Sequence, residues 1–161
     1  FITCVIISSL MQRPLDDDLL FLLYDVARLM RVRADQHARS TGMTRAQWVV
    51  LVWLERQPGI TQNELAALVE VEPITIARLV DRLEARGVVE RRLDPSDRRV
   101  RRLHLTPAAA PLLEVIHAYR RDSHLVLTEG VPADDLSRIL AGLTTMKSNL
   151  LDEKRDSAEA G

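Results

Sequence analysis

The feature that most limits what this chain can fold into is one turn sequence, Asp94-Pro95-Ser96-Asp97, set between two short strand-like runs, Val88 to Leu93 and Arg99 to Leu105. Proline presets the backbone of a turn, and aspartate and serine side chains bond back onto it, so these residues join the runs as a β-hairpin. In the second run Arg101, Leu103 and Leu105 point one way and Val100, Arg102 and His104 the other. The hairpin is therefore only partly amphipathic, and its tip is basic. The remaining apolar periodicity is helical, so the expected fold is mostly α with a small β-hairpin.

Two short, closely joined helices precede the hairpin. Thr61-Gln62-Asn63-Glu64 has the form of a capping box, in which threonine and glutamate satisfy the free amide groups of a helix start, and Leu65, Ala66, Leu68 and Val69 follow. After a short turn, Pro73 takes the favoured first helical position, and the second helix runs to Arg86 with Gly87 as its stop. Its inward stripe is Ile76, Leu79, Val80 and Leu83, while Thr75, Arg78 and Arg82 lie on a neighbouring face with access to solvent.

Longer helices flank this region. Leu19, Leu22, Leu23, Val26, Leu29 and Met30 mark one from Asp16 to about Arg39, its opening aspartates matched to the positive end of the dipole. Thr44 caps another that carries Trp48, Leu51, Val52 and Leu54 and stops at Pro58-Gly59. Downstream, Thr106-Pro107 reads as a cap and first-position proline, opening a helix through Leu112, Leu113, Ile116 and Tyr119 to about Leu127. Gly130 and Pro132 interrupt it. A last helix starts at Ala133 with Leu136, Ile139, Leu140, Leu143, Met146 and Leu150, and the tail after Asp152 is expected to fray.

With 161 residues, 47% hydrophobic and 28% charged, the chain is long enough for its own core and falls outside the disordered and disulfide-dependent classes. Its net charge is only -1, yet residues 78–102 hold nine arginines against five acids. A local basic stretch on a near-neutral chain suits an element that neutralises phosphates with one surface; a solvated helix face has the same appearance. Cys4 is the sole cysteine, which excludes a disulfide within the chain and points to a reducing cytoplasm. The apolar run Phe1 to Leu10 lacks a basic start and is too short to span a bilayer, and Met11 follows it. Residues 1–10 are therefore expected to be a non-native leader, ahead of one domain over 11–161.

Helix, tight turn, helix, basic hairpin is the order of a winged helix-turn-helix, whose second helix enters the DNA major groove while the hairpin reaches the backbone or minor groove. At this level the chain, from about Leu15 to Leu151, resembles the MarR (multiple antibiotic resistance regulator) family of bacterial transcription factors and its SlyA-like branch. The resemblance is carried by Asp97-Arg98-Arg99-Val100-Arg101-Arg102-Leu103-His104-Leu105-Thr106, similar to the family's wing signature, and by Thr75 to Gly87, similar to its recognition helix. It implies that Thr75, Arg78 and Arg82 face the major groove. It also implies that Arg99 inserts into the minor groove, that Asp97 orients the wing arginines, and that Arg98 and Arg101 add to the wing's DNA contact. Two positions depart from the family: Glu70 stands where glycine is frequent in the turn, and Glu72 stands where a serine commonly caps the helix and touches phosphate. Glu72 can still cap but would repel a phosphate.

The long apolar stripes at both ends exceed what a module of residues 44–106 can cover, so residues 11–43 and 107–155 are expected to form a homodimer interface, as in the family. A two-fold dimer predicts a pseudo-palindromic operator with half-sites roughly 34 Å apart. The resemblance further implies a pocket for a small aromatic carboxylate effector, lined by Arg28, Arg31, Thr44 and Trp48, where the arginines would pair the carboxylate. His117 and His124 share a helix face but lack a completing ligand for a metal, and no nucleophile and base or phosphate loop is present. The reading is thus a DNA-binding transcriptional repressor without enzymatic activity, metal or cofactor. A winged-helix protein-interaction module and an anti-silencing activator without a ligand remain open as alternatives.

Overall fold

A computed structural model of the chain describes residues 18–159, with side chains as far as residue 153. The expected leader at residues 1–10, including Cys4, and the aspartates at 16 and 17 lie outside the described residues. The chain divides into two compact units, the first ending at Tyr119 and the second beginning at Arg120. The first contains α1 (Leu19–Ser40), α2 (Arg45–Arg56), α3 (Gln62–Leu68), α4 (Pro73–Ala85), β1 (Val89–Leu93), β2 (Arg101–Leu105), a 3-10 turn (Pro107–Ala109) and the start of α5 (Ala110–Thr128). The second contains the rest of α5 and α6 (Ala133–Glu159). The fold is mostly α with one antiparallel hairpin, as expected of a winged helix-turn-helix.

Helix starts are set by side chains that accept from otherwise unpaired amides. Asp18 accepts from the Phe21 N–H at 2.9 Å. Thr61 and Glu64 form the expected capping box, the Thr61 N–H donating to the Glu64 carboxylate at 2.8 Å and the Glu64 N–H to Thr61 Oγ1 at 3.2 Å. A second box, Thr44 with Gln47, starts α2 and was not foreseen beyond its threonine cap. Helix α4 begins differently: Glu72 occupies the cap position without a side-chain capping bond, and Pro73 follows at the first turn, where its missing N–H costs nothing. The expected Glu72 cap is thus not formed.

Helix α4 ends in a Schellman arrangement. The Gly87 N–H bonds the Glu84 carbonyl at 2.8 Å, and the Val88 N–H reaches back to Leu83 at 3.1 Å. Gly87 supplies the left-handed turn with a φ of 70°, and Leu83 and Val88 are both buried, giving the motif its usual apolar contact. The chain thereby turns directly from α4 into β1.

The core of the first unit is built from Leu51 and Leu54 of α2, Leu65 of α3, Ile76, Val80 and Leu83 of α4, Val89 of β1, Leu103 of β2 and Ile116 of α5, all almost wholly removed from water. In the hairpin Val89 pairs with Leu105 and Leu93 with Arg101. β2 begins at Arg101, two residues later than Arg99, because the Val100 N–H bonds Asp97 and the Val100 carbonyl accepts from Asp94, drawing both residues into the turn. A third segment pairs with β2 from the other side: the Gly59 N–H bonds the Leu103 carbonyl at 2.9 Å, and the Leu103 N–H bonds Ile60 at 3.0 Å. The hairpin is thereby sewn to the α2–α3 turn.

Two further expectations are corrected. Thr106 does not cap α5; its hydroxyl donates to the Gly87 carbonyl at 2.6 Å, and the 3-10 turn intervenes before α5 starts. Helix α6 does not fray after Asp152 but continues to Glu159, through residues that are mostly strong helix formers with no glycine or proline among them. No helix among the described residues is long and apolar enough to cross a membrane.

Candidate nucleic-acid interface

The outer face of α4 and the tip of the hairpin carry the basic residues singled out above, but the nine arginines of residues 78–102 do not act as one surface. Three serve the fold, and a fourth, Arg92, is taken up in a surface ion pair. Arg91, only partly exposed, lies on β1 and bonds Asp81 of α4 at 2.6 Å, Glu84 of α4, and Gln62 of α3 at 3.4 Å. It clamps both helices of the helix-turn-helix to the wing, and the two carboxylates hold its proton more firmly than burial loosens it. Arg86 donates to the Gly42 carbonyl at 2.9 Å, tying the end of α4 to the turn before α2. Arg92 pairs with Glu90. Arg102 pairs with Asp94 and donates to the Gly59 carbonyl at 2.9 Å.

The other five face outward. Thr75, Arg78 and Arg82 on α4 are exposed, opposite the buried Ile76, Val80 and Leu83. Arg98 and Arg101 on the wing are likewise exposed, and none of the ion pairs among the described residues uses Arg78, Arg82, Arg98 or Arg101. Arg99 stands 90% exposed, with its guanidinium 3.2 and 3.3 Å from the two Asp97 oxygens and its own N–H on Asp97 Oδ1 at 2.9 Å. Asp97 aims Arg99 away from the hairpin without burying it, and the Arg99 guanidinium and N–H hold the Asp97 carboxyl below its ordinary value.

Beneath the tip sits Asp94, a buried carboxylate that accepts from Ser96 Oγ, the Ser96 N–H at 2.7 Å, the Asp97 N–H at 3.0 Å, and Arg102. Bonds from Ser96 and Arg102 press its pKa far below the ordinary 3.8. A carboxylate whose pKa is lowered on folding contributes stability above the unfolded value and loses it as pH falls. As pH falls below about 4 the wing tip is therefore expected to weaken progressively, seen as declining protection of the Ser96 and Asp97 amides from hydrogen exchange relative to an unstructured peptide at the same pH. Asp94→Asn should exchange quickly at these amides already at neutral pH; an unchanged profile in that variant would show that the carboxylate does not hold the turn.

The residues of the expected effector pocket are less uniformly available. Arg28 pairs with Asp25 one helical turn away, at 2.6 Å. Thr44 uses its hydroxyl in the α2 cap. Arg31 is exposed on α1. Trp48 is buried, its ring 5.4 Å from that of Tyr119, which in turn lies 4.8 Å from His37. The Trp48 indole N–H is buried without a hydrogen-bond partner. His37 escaped the sequence reading because only tertiary packing brings it to Tyr119, 82 positions away. Helical periodicity shows which face a residue occupies, not what that face meets. His117 lies 2.9 Å from Glu55.

The turn between α3 and α4 explains one departure noted above. Glu70 has a φ of 53°, the sole non-glycine in the left-handed region among the described residues, so this position demands the conformation that glycine adopts most easily.

Comparison with known proteins agrees with this architecture. A model of the MarR family matches residues 43–100. The crystal structure of the transcriptional regulator SlyA superposes with a TM-score of 0.74 at 26% identity, over 84% of this chain and 96% of that one. CouR from Rhodococcus jostii RHA1, solved bound to p-coumaroyl-CoA, is 32% identical over 84% of this chain and 95% of its own, with a TM-score of 0.72. MepR of S. aureus, solved in complex with DNA, is 25% identical over 82% of this chain and 96% of its own, with a TM-score of 0.70. With a relative 32% identical along most of both chains, and with the family's region matched from the start of the helix-turn-helix to the hairpin turn, the chain belongs to the MarR family of winged-helix DNA-binding transcription regulators.

Proposed function

We propose that the protein acts as a homodimer on a pseudo-palindromic operator and represses by occluding a promoter. The observation that carries the DNA-reading part is the exposed Arg78 and Arg82 on α4, which no ion pair among the described residues uses, backed by Arg99 held outward at the wing tip. Arg78, Arg82 and Thr75 enter the major groove, where arginine can bond guanine edges bidentately. Arg99, positioned by Asp97 and flanked by Arg98 and Arg101, enters the adjoining minor groove, whose potential is most negative where it is narrow. The complex of MepR with DNA supports this use of the fold.

Support for the dimer comes from exposed apolar side chains on the terminal helices. Leu20 of α1 is 77% exposed, Leu125 of α5 67% and Leu150 of α6 66%, each among further exposed leucine, isoleucine and valine residues on the same helix. Monomeric proteins seldom leave patches of this extent in water. Residues 11–43 and 107–155 are accordingly assigned to dimerisation and residues 44–106 to reading.

An effector site near Trp48 is proposed on a separate observation. A buried indole N–H without an acceptor, beside Tyr119 and His37, would be completed by a ligand oxygen and an aromatic ring. CouR bound to p-coumaroyl-CoA supports a small aromatic carboxylate or its thioester as the class. Operator release on titration with p-coumarate or p-coumaroyl-CoA tests it, and retention of the complex at saturating concentrations of both would count against this class.

Selection of bound sequences from a random duplex pool at physiological salt tests the main reading. A two-fold symmetric motif is the expected result. Binding that fades steeply with salt and selects nothing would replace operator reading with an interaction surface for an acidic protein partner.

A further inference from the structure

The reading face of α4 includes one side chain that its cations do not account for. Ile74, on the first turn, is 60% exposed, among the more exposed large apolar residues of the first unit. Ile74, Arg78 and Arg82 follow one another at four-residue intervals and so form a single row along the helix, each about 6 Å further along the axis than the last. Ile76, Val80 and Leu83 occupy the opposite side and are buried. Ile74 therefore faces the same way as the arginines that read DNA in the function proposed above, on which this inference rests.

We propose that Ile74 is a specificity-determining residue that packs against the C5-methyl group of a thymine in the major groove. An isoleucine side chain has no donor or acceptor, so it gains nothing from a phosphate or from the nitrogen and oxygen edges of the bases. Thymine presents the one apolar group that unmodified B-DNA displays in the major groove. A helical turn advances about 5.4 Å and a base pair about 3.4 Å, so the thymine lies within about two base pairs of the guanine read by Arg78. The first turn of α4 would thus read a methyl where the second reads a guanine edge.

The test uses the full chain and the motif it selects, replacing each thymine of a half-site in turn, and its symmetry mate, with deoxyuridine, which removes only the methyl group. At one thymine near the Arg78 contact, the replacement is expected to weaken wild-type binding about fourfold per half-site, the equivalent of one buried methyl. Ile74→Ala should bind the thymine and uracil duplexes equally. Ile74→Val, which keeps both branches at Cβ, should retain most of the discrimination. Equal sensitivity to the same replacement in wild type and Ile74→Ala, or no sensitive thymine anywhere, overturns the assignment while leaving the DNA-reading function intact. Failure of the wild type to select any motif overturns both, so the two failures are separable. Thermal unfolding of Ile74→Ala near that of the wild type is expected for so exposed a residue.

Discussion

Leu103→Ala is expected to lower the unfolding free energy by about 2–5 kcal/mol, the range for truncating a fully buried leucine whose surroundings cannot close the space. Leu103 has no exposure to solvent and sits in the middle of β2. Its backbone is held on one side by β1 and on the other by Gly59 and Ile60, so the strand has little freedom to move into a cavity. A small domain has only about 5–15 kcal/mol of stability in all, so the loss should be plain in urea unfolding. Leu93→Ala on the neighbouring strand is the control: Leu93 is 51% exposed, and its loss should stay within about 0.5 kcal/mol. Equal, small effects at both positions would mean that the wing is not anchored in the core.

Arg78→Ala is expected to relax base preference at one position of each half-site, at a cost of about 1–3 kcal/mol against the preferred base. The argument is geometric. Arg78 lies on the exposed face of α4, opposite the buried stripe, and none of the ion pairs among the described residues occupies it. Arg91 provides the contrast, because its guanidinium is bonded to Asp81, Glu84 and Gln62. Arg91→Ala should therefore destabilise the junction of helix and wing without changing which base is preferred. Competition with single-base variants of the selected motif measures the first effect, and unfolding the second. A uniform loss across all sequences in Arg78→Ala would reduce that residue to a phosphate contact and shift base reading elsewhere on α4.

Much of the fold was legible because its signals are local. Capping at Thr61 with Glu64, the proline start and glycine stop of α4, and the aspartate-rich hairpin turn all act within a few residues, and the structure contains each of them. The inward stripe of α4 follows from 3.6-residue periodicity alone. The failures mark places where a local rule met a tertiary competitor. Thr106 stands at a cap position, but its side chain makes no capping bond and its hydroxyl instead donates across to the Gly87 carbonyl at the end of α4. Arg99 and Val100 have strand-like character, but the bonds that close the Asp94 turn claim both.

The candidate site divides in the same way. Residue type and spacing by themselves determined that the region is a winged helix-turn-helix rich in arginine, and that Thr75, Arg78 and Arg82 lie off the buried stripe of their helix. Charge counting could not tell an arginine that faces solvent from one that holds the wing in place, since the two have the same side chain and the same formal charge. Only the tertiary structure decided that Arg91 and Arg102 bond carboxylates and carbonyls of other segments, whereas Arg78 and Arg82 form no ion pair among the described residues. It likewise decided that Gly59 and Ile60 join β2 and that Trp48 meets Tyr119. The reason is physical: capping, turn formation and amphipathic periodicity depend on neighbours in the chain, but an ion pair or a strand pairing depends on which distant groups folding brings within about 3 Å.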